Sequence, residues 1–313
     1  MQGHDGKISC PQTRRMMAAA RGLPPIATAV VHPVDRLSLE GALEAARCGL
    51  IHPVLVGPRG KIEAAASANG LDLKDYPIVD TPHSHAAAAE AVAQVRAGTV
   101  RALMKGAQHT DELMAEVVDR QRGLRTERRM SHIFLIDVPS YPKPFLVSDA
   151  AINIAPDLDG KRDIVQNAID LALALGIERP KVAILSAVET VTPRIPSTVE
   201  AAALCKMADR GQITGGVLDG PLAFDNAISA EAARTKGIVS EVAGDPDILI
   251  VPDLEAGNIL VKQLDYLGNA DAAGIVLGAR VPIMLTSRAD DIASRLASAA
   301  LAQIYAHRKP GGL

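Results

Sequence analysis

Residues 26–57 read IATAVVHPVDRLSLEGALEAARCGLIHPVLVG, and they decide the fold class. Ile26–His32 is an apolar run rich in β-branched residues. Ser38 is placed to cap a helix that runs to Cys48, and Gly49 stops it. Pro53–Gly57 is a second apolar run. Parallel strands need a crossover between them, usually a helix, whereas an antiparallel pair needs only a tight turn. Strands that are apolar throughout, rather than at alternate positions, belong to a sheet covered by helices on both faces.

The alternation spreads outward from there. Helix 61–69, strand 77–80, helix 83–97, strand 102–106 and helix 110–120 follow in order. Ile133–Pro139 and Pro144–Ala150 are separated only by a short proline-rich turn around Tyr141, which predicts an antiparallel pair and marks the crossing into a second lobe. Alternation then resumes with helix 163–175, strand 181–187, helix 198–208, strand 215–220, helix 226–235, strand 247–252 and helix 257–267. Strands 274–278 and 282–286 and helix 289–307 end the chain. The expected architecture is α/β with mostly parallel sheets, in two lobes: 1–138 with 274–313, and 139–273.

Composition narrows the function. Of 313 residues, 48% are hydrophobic but only 2% aromatic, with no Trp. The core must be built from Ala, Val, Ile and Leu, and a base-stacking surface has too few rings to exist. A net charge of −3 without a long basic block argues against nucleic acid. The one arginine-rich stretch, Arg120–Arg129, reads as a solvated helix end and loop, with a phosphate- or nucleotide-facing role as the alternative. Cys10, Cys48 and Cys205 form no CxxC and fit a reducing compartment. No apolar run approaches the ~20 residues needed to span a bilayer, and the polar first residues hold no apolar signal core. The expectation is a cytoplasmic protein with no membrane contact.

No G-x-G-x-x-G, P-loop or G-x-S-x-G motif is present. His83-Ser84-His85 reads as a helix start rather than a metal site, and no metal is expected. What the chain offers is small polar residues at the carboxyl ends of predicted strands, where helix N-termini converge and favour anions. Lys105-Gly106 with Gln108-His109-Thr110 is one such place, and Asp219-Gly220-Pro221 is another. Asp253 with Glu255, Gly257 and Asn258 is a third. The fourth is Ser287-Arg288 with Asp290 and Asp291. Each has a bland reading: Gly and Pro for turns, Asp and Asn for caps. Arg288 fits that reading least, because a cation opposes the positive end of a helix unless an anion sits there.

The stretches LMKGAQHT, GLRTERRMSHIFLIDVPSY, VSDAAINIAPDL, AAALCKMADRGQITGGVLDGPLAFDNA, VAGDPDILIVPDLEAGNIL and AAGIVLGARVPIMLTSRAD together resemble the phosphate acetyltransferase and phosphate butyryltransferase family. The resemblance covers nearly the whole chain, most closely from about Leu103 onward. The LMKG and DGPLAFDNA forms look more like the butyryltransferase branch. The resemblance implies an isocitrate/isopropylmalate-dehydrogenase-like fold with an active site in an interlobe cleft. It also implies a homodimer and the reversible reaction acyl-CoA + phosphate ⇌ acyl phosphate + CoA. Coenzyme A is then a substrate, and neither cofactor nor covalent intermediate is involved. Ser287 and Arg288 fall at the reacting centre, with Asp290 and Asp291 as alternatives for the base that activates the thiol. Lys105, Gly106 and Thr110 are expected to bind substrate, as are Asp219, Gly220, Asp225, Gly257 and Asn258. By the same resemblance, an Arg that acetyltransferases carry in the helix after the Lys105 strand is replaced around Leu113, and a Tyr common after the Gly-Asn-Ile run is Val261. Two other readings stand beside this one: a metal- and NAD-dependent decarboxylating dehydrogenase on the same fold, and a non-catalytic acyl-CoA-binding relative.

Overall fold

A computed structural model of the chain describes Ile8, residues 10–285 and residues 291–309. These fall into two compact units, the first running to Arg128 and resuming at Ala273–His307, the second spanning Arg129–Ala272. The first unit contains α1 (Pro11–Arg21), β1 (Ile26–Val31), α2 (Arg36–Arg47), β2 (Ile51–Gly57), α3 (Arg59–Ala68), β3 (Ile78–Asp80), α4 (Ser84–Arg96), β4 (Ala102–Lys105) and α5 (Thr110–Val117). The second contains β5 (Ser131–Asp137), β6 (Phe145–Ser148), α6 (Leu158–Ala174), β7 (Lys181–Leu185), α7 (Pro196–Asp209), β8 (Val217–Leu222), α8 (Phe224–Ile228), α9 (Ala230–Thr235), β9 (Ile248–Ile250) and α10 (Leu254–Gly268). The chain then returns to the first unit through β10 (Asp271–Leu277), β11 (Ile283–Met284) and α11 (Ile292–Arg308).

In the first unit the strand order is β3-β2-β1-β4-β11-β10. All neighbours are parallel except β10 and β11, which turn back on each other. In the second unit the order is β5-β6-β9-β7-β8, and only the β5–β6 pair is antiparallel. That pair is the one the short turn around Tyr141 predicts. It also explains why the second unit begins at Arg129: β5, expected in the first lobe, is hydrogen-bonded to β6 from Ile133↔Ser148 to Ile136↔Phe145.

The apolar runs are buried on both faces, as covered parallel strands require. Val30, Val31, Leu55, Val56 and Leu103 have no exposed surface, and neither do Leu39, Ala42 and Leu43 of α2. Each buried Val or Leu side chain contributes roughly 1.5–3 kcal/mol. Where α4 packs on the sheet it presents Ala87, Ala88 and Ala91, all without exposed surface, so the layers approach closely.

Two local expectations change. The cap of α2 is Asp35, whose carboxylate accepts the Ser38 N–H at 2.8 Å. Ser38 is therefore inside the helix. The single helix expected at 226–235 is two short ones, because Ser229 ends α8 and caps α9 through the Ala232 N–H at 3.2 Å.

Candidate functional site

In the first unit, β4 delivers Lys105 at its carboxyl end with only 4% of its surface exposed. Its ammonium donates to the carbonyl oxygens of Gly106 at 3.5 Å and Gln108 at 3.4 Å. Gly106 has to be glycine: a Cβ there would lie 2.4 Å from the Val31 oxygen and 2.6 Å from the His32 oxygen. The β4 tip can cross the end of β1 this closely only without a side chain. Thr110 opens α5 and is exposed, followed by Asp111 and Glu112 in the first turn. Leu113 is fully buried.

Beside β4, β11 runs parallel with Met284 in register with Met104. Ser287, Arg288 and Asp290 follow β11 in sequence and lie outside the described residues. Asp291 is described. Its carboxylate accepts the Ser294 N–H at 2.8 Å and so caps α11.

In the second unit, Asp219 and Gly220 sit inside β8 rather than at its tip, because the strand continues to Leu222. They lie where the pairing with β7 loses its even register between Ala183 and Leu185. Asp219 accepts the N–H of its neighbour Gly220 at 2.8 Å. Gly220 fits against Ile184, whose Cβ would be 2.7 Å from an added side chain. The Cys205 thiol donates to the Gly220 oxygen at 3.7 Å, and burial, with Asp219 nearby, pushes its pKa up to about 12. A thiol held protonated in this way is inert. Asp225 pairs with Lys236 at 3.1 Å, and the hydrogen bond from that ammonium holds its carboxyl below the usual range.

Gly257 and Asn258 lie in the first turns of α10, which Asp253 caps through the Ala256 N–H at 2.8 Å. Asn258 donates to the Ala150 oxygen at 3.2 Å. A Cβ at Gly257 would be 2.8 Å from the Asp149 oxygen and 3.0 Å from the Ala150 Cα. Both residues therefore seat α10 on the loop that leaves β6. Val261 is buried in this unit's core.

That loop is organised by Asp149, which the motif reading passed over. Its Oδ1 accepts the N–H groups of His132, Ala151 and Ile152, and its Oδ2 accepts the backbone N–H and side-chain amide of Asn153. Asn153 donates onward to the Met130 oxygen and accepts from Arg129 at 3.3 Å. Ser148 donates to the His132 oxygen, and in the sequence it, Asp149 and Asn153 look like ordinary turn residues. The rest of Arg120–Arg129 is mostly an exposed loop, with Asp119 accepting the N–H groups of Gln121 and Arg122.

The second unit also holds a cavity of about 750 Å³, lined by Ser186, Phe224, Pro252, Ala256, Leu260 and Leu264 among others. It opens at the carboxyl ends of β7 and β9, and its walls are predominantly apolar. His83 caps α4, its Nδ1 accepting the Ala86 N–H at 3.2 Å, as the helix-start reading predicts. Among the described residues no helix is long and apolar enough to cross a membrane.

The profile of the family described as phosphate acetyl/butaryl transferase matches residues 84–303. The phosphate acetyltransferase of Rhizobium meliloti is 64% identical over 295 residues, covering 94% of this chain and 93% of that protein. The phosphate butyryltransferase of Clostridium acetobutylicum is 40% identical over 294 residues, covering 94% of this chain and 97% of that protein. The lean towards the butyryltransferase branch is therefore not what these identities favour. Among solved structures, a branched-chain phosphotransacylase from Enterococcus faecalis V583 superposes with a TM-score of 0.79 at 31% identity, covering 90% of this chain and 99% of that one. A 4-hydroxythreonine-4-phosphate dehydrogenase from Burkholderia phymatum shares the fold at a TM-score of 0.54 and 14% identity, covering 90% of this chain and 98% of that one. The dehydrogenase reading thus keeps only the fold. With a family profile across most of its length and close relatives along nearly all of it, the chain belongs to the phosphate acetyl/butyryltransferase family and is an acyltransferase.

Proposed function

We propose that the protein moves a short acyl group reversibly between coenzyme A and inorganic phosphate, with Arg288 and Ser287 at the reacting centre. The problem is to bring two polyanions together and exchange a thioester for an acyl phosphate. Holding both in attack geometry contributes on the order of 7–11 kcal/mol. Negative charge grows on the carbonyl oxygen beside the phosphate. The Arg288 guanidinium balances it bidentately, and the Ser287 hydroxyl donates a hydrogen bond to the oxyanion or phosphate. In the direction from acyl phosphate, a thiol of ordinary pKa near 8.5 loses its proton to Asp290 or Asp291. Lys105 and Thr110 supply further contacts for phosphate or the coenzyme A pyrophosphate. Asp219, Gly220, Asp225, Gly257 and Asn258 shape and support the substrate contacts.

The observation that carries this reading is 64% identity to a phosphate acetyltransferase along 94% of the chain. The TSRAD sequence itself adds to it: a guanidinium next to a hydroxyl suits bidentate binding of phosphate oxygens. We further propose a homodimer. In support, α10 leaves Ile259, Tyr266 and Leu267 exposed at 65%, 70% and 78%, next to the apolar cavity, and apolar surface of this kind marks association sites. Three cysteines that form no disulfide support a cytoplasmic setting. Release of free thiol from acetyl-, propionyl- and butyryl-CoA, with and without phosphate, tests the function and ranks the acyl chains. A protein that binds coenzyme A yet releases no thiol would be a non-catalytic relative instead.

A further inference from the structure

The arginine-rich loop after α5 is not used by the proposed reaction, yet it is firmly built. Asp119 accepts the N–H groups of Gln121 at 2.9 Å and Arg122 at 2.6 Å. The Gly123 N–H donates to the Asp119 oxygen at 3.1 Å and the Leu124 N–H to the Val117 oxygen at 2.8 Å. Leu124 is fully buried. Arg96, in the last turn of α4, donates to the Gln121 oxygen at 2.9 Å and the Gly123 oxygen at 3.4 Å. A second segment is paired alongside. Arg125 faces Ala279 across an antiparallel bridge. The Arg280 N–H donates to the Leu124 oxygen at 3.0 Å, and the Thr126 hydroxyl donates to the Gly278 oxygen at 2.6 Å.

This platform lies at the amino end of the first unit's sheet. β11 runs parallel to β4, and the Leu103 N–H reaches the Pro282 oxygen at 3.2 Å. Residues 278–282 therefore come before the start of both strands. Lys105 is at the other end of β4. α5 begins beyond that tip and runs back, which is how the chain brings Arg120 to the opposite edge. The four residues of β4 alone set ~13 Å between the two ends.

Arg120, Arg122, Arg125 and Arg280 are all exposed. Among the described residues, the guanidinium groups of Arg120, Arg125 and Arg280 form neither an ion pair nor a hydrogen bond. Asp119 is committed to its own turn, and Glu127 is the other acid of the loop. A helix dipole accounts for Arg96 but not for these, because α5 ends at Val117 and the effect fades within the last turn. General basicity is not the cause either, since the chain carries a net charge of −3. Every cation in residues 119–126 and 278–281 is Arg, and none is Lys. A guanidinium presents a planar fork that matches two oxygens of one phosphate, whereas an ammonium is a point charge. Neither segment holds an aromatic ring to stack a base. Fixed guanidinium groups without a stacking ring suit a ligand recognised by its phosphates alone.

We propose that the amino end of the first unit binds a polyphosphate chain, free or carried by a nucleotide, through Arg120, Arg122, Arg125 and Arg280. The site lies at the opposite end of β4 from Lys105 and stands whether or not the acyl-transfer reading holds. Calorimetric titration of the full chain with inorganic tripolyphosphate tests it at ~0.15 M salt, where diffuse attraction between exposed charges is largely screened. Arg125→Gln and Arg280→Gln should each bind ~10-fold or more weakly than the wild type. Their melting temperatures and KM for acetyl-CoA should be unchanged, because these side chains hold nothing else in the fold. Arg125→Lys and Arg280→Lys keep the charge and lose the fork, so they should also bind more weakly. Arg288→Ala, at the proposed reacting centre, should bind tripolyphosphate as the wild type does. ATP titrated in parallel separates the two sources of the phosphate chain, and it should bind as tripolyphosphate does because nothing holds the base. Wild-type affinity in the glutamine variants, or a loss in Arg288→Ala in its place, overturns the proposal. So does undiminished binding by the lysine variants, or binding of ATP without binding of tripolyphosphate.

Discussion

Gly257 and Asp149 are packed so closely that a methyl group on Gly257 would sit 2.8 Å from the Asp149 carbonyl oxygen. This contact sets the entry of α10 onto the loop leaving β6, and the Asn258 amide fixes it through the Ala150 oxygen at 3.2 Å. The backbone oxygen cannot move aside easily, because the Asp149 carboxylate anchors the next turns through Ala151, Ile152 and Asn153. Gly257→Ala is therefore expected to destabilise the second unit by about 1–3 kcal/mol. Urea unfolding followed by circular dichroism reads this directly. A variant as stable as the wild type would mean that the contact relaxes at no cost.

His132 gives an acid-sensitivity prediction. It is 2% exposed, its Nδ1 has no partner, and it lies against Phe134 at 4.2 Å between ring centroids. Burial lowers its pKa to about 3. The unfolded chain takes up this proton near pH 6.5 and the native state only near 3, so the contribution is full above about 6.5 and lost as pH falls through that window. The expected loss between pH 7 and pH 5 is about 2 kcal/mol for this group. His132→Phe keeps a ring and removes the titration. The difference in stability between wild type and variant should thus shift by that amount between the two pH values. A constant difference would show that His132 does not stay neutral in the folded state.

The alternation of strand and helix was legible in the sequence because each element carries its own signal: apolar β-branched runs, helical spacing, a glycine stop after α2. The antiparallel β5–β6 pair was legible for the same reason, through its short linker. The sheet orders were not, because nothing local to β4 or β11 says that each lies beside a strand far away in sequence. Ser38 misled as a cap because Arg36 and Leu37 give the first turn of α2 little helical pattern, and Asp35 took the role. The strand-end rule picked out Lys105 correctly as the tip of β4, but put Asp219 at an end that β8 does not have. The arginine cluster was legible in part: Arg120, Arg122 and Arg125 stand close in the sequence, but Arg280 joins them only through the pairing of Arg125 with Ala279. That pairing is a property of the fold, and Arg280 alone looks like an ordinary turn residue.

The assignment of Arg288 is tested most directly by the phosphate-dependent release of thiol from acetyl-CoA by Arg288→Ala. The account predicts turnover lower than wild type by two orders of magnitude or more, with unchanged circular dichroism and melting temperature, because one oxyanion-directed group typically contributes about 2.7–4 kcal/mol to the rate. A folded Arg288→Ala protein that releases thiol at the wild-type rate would contradict it.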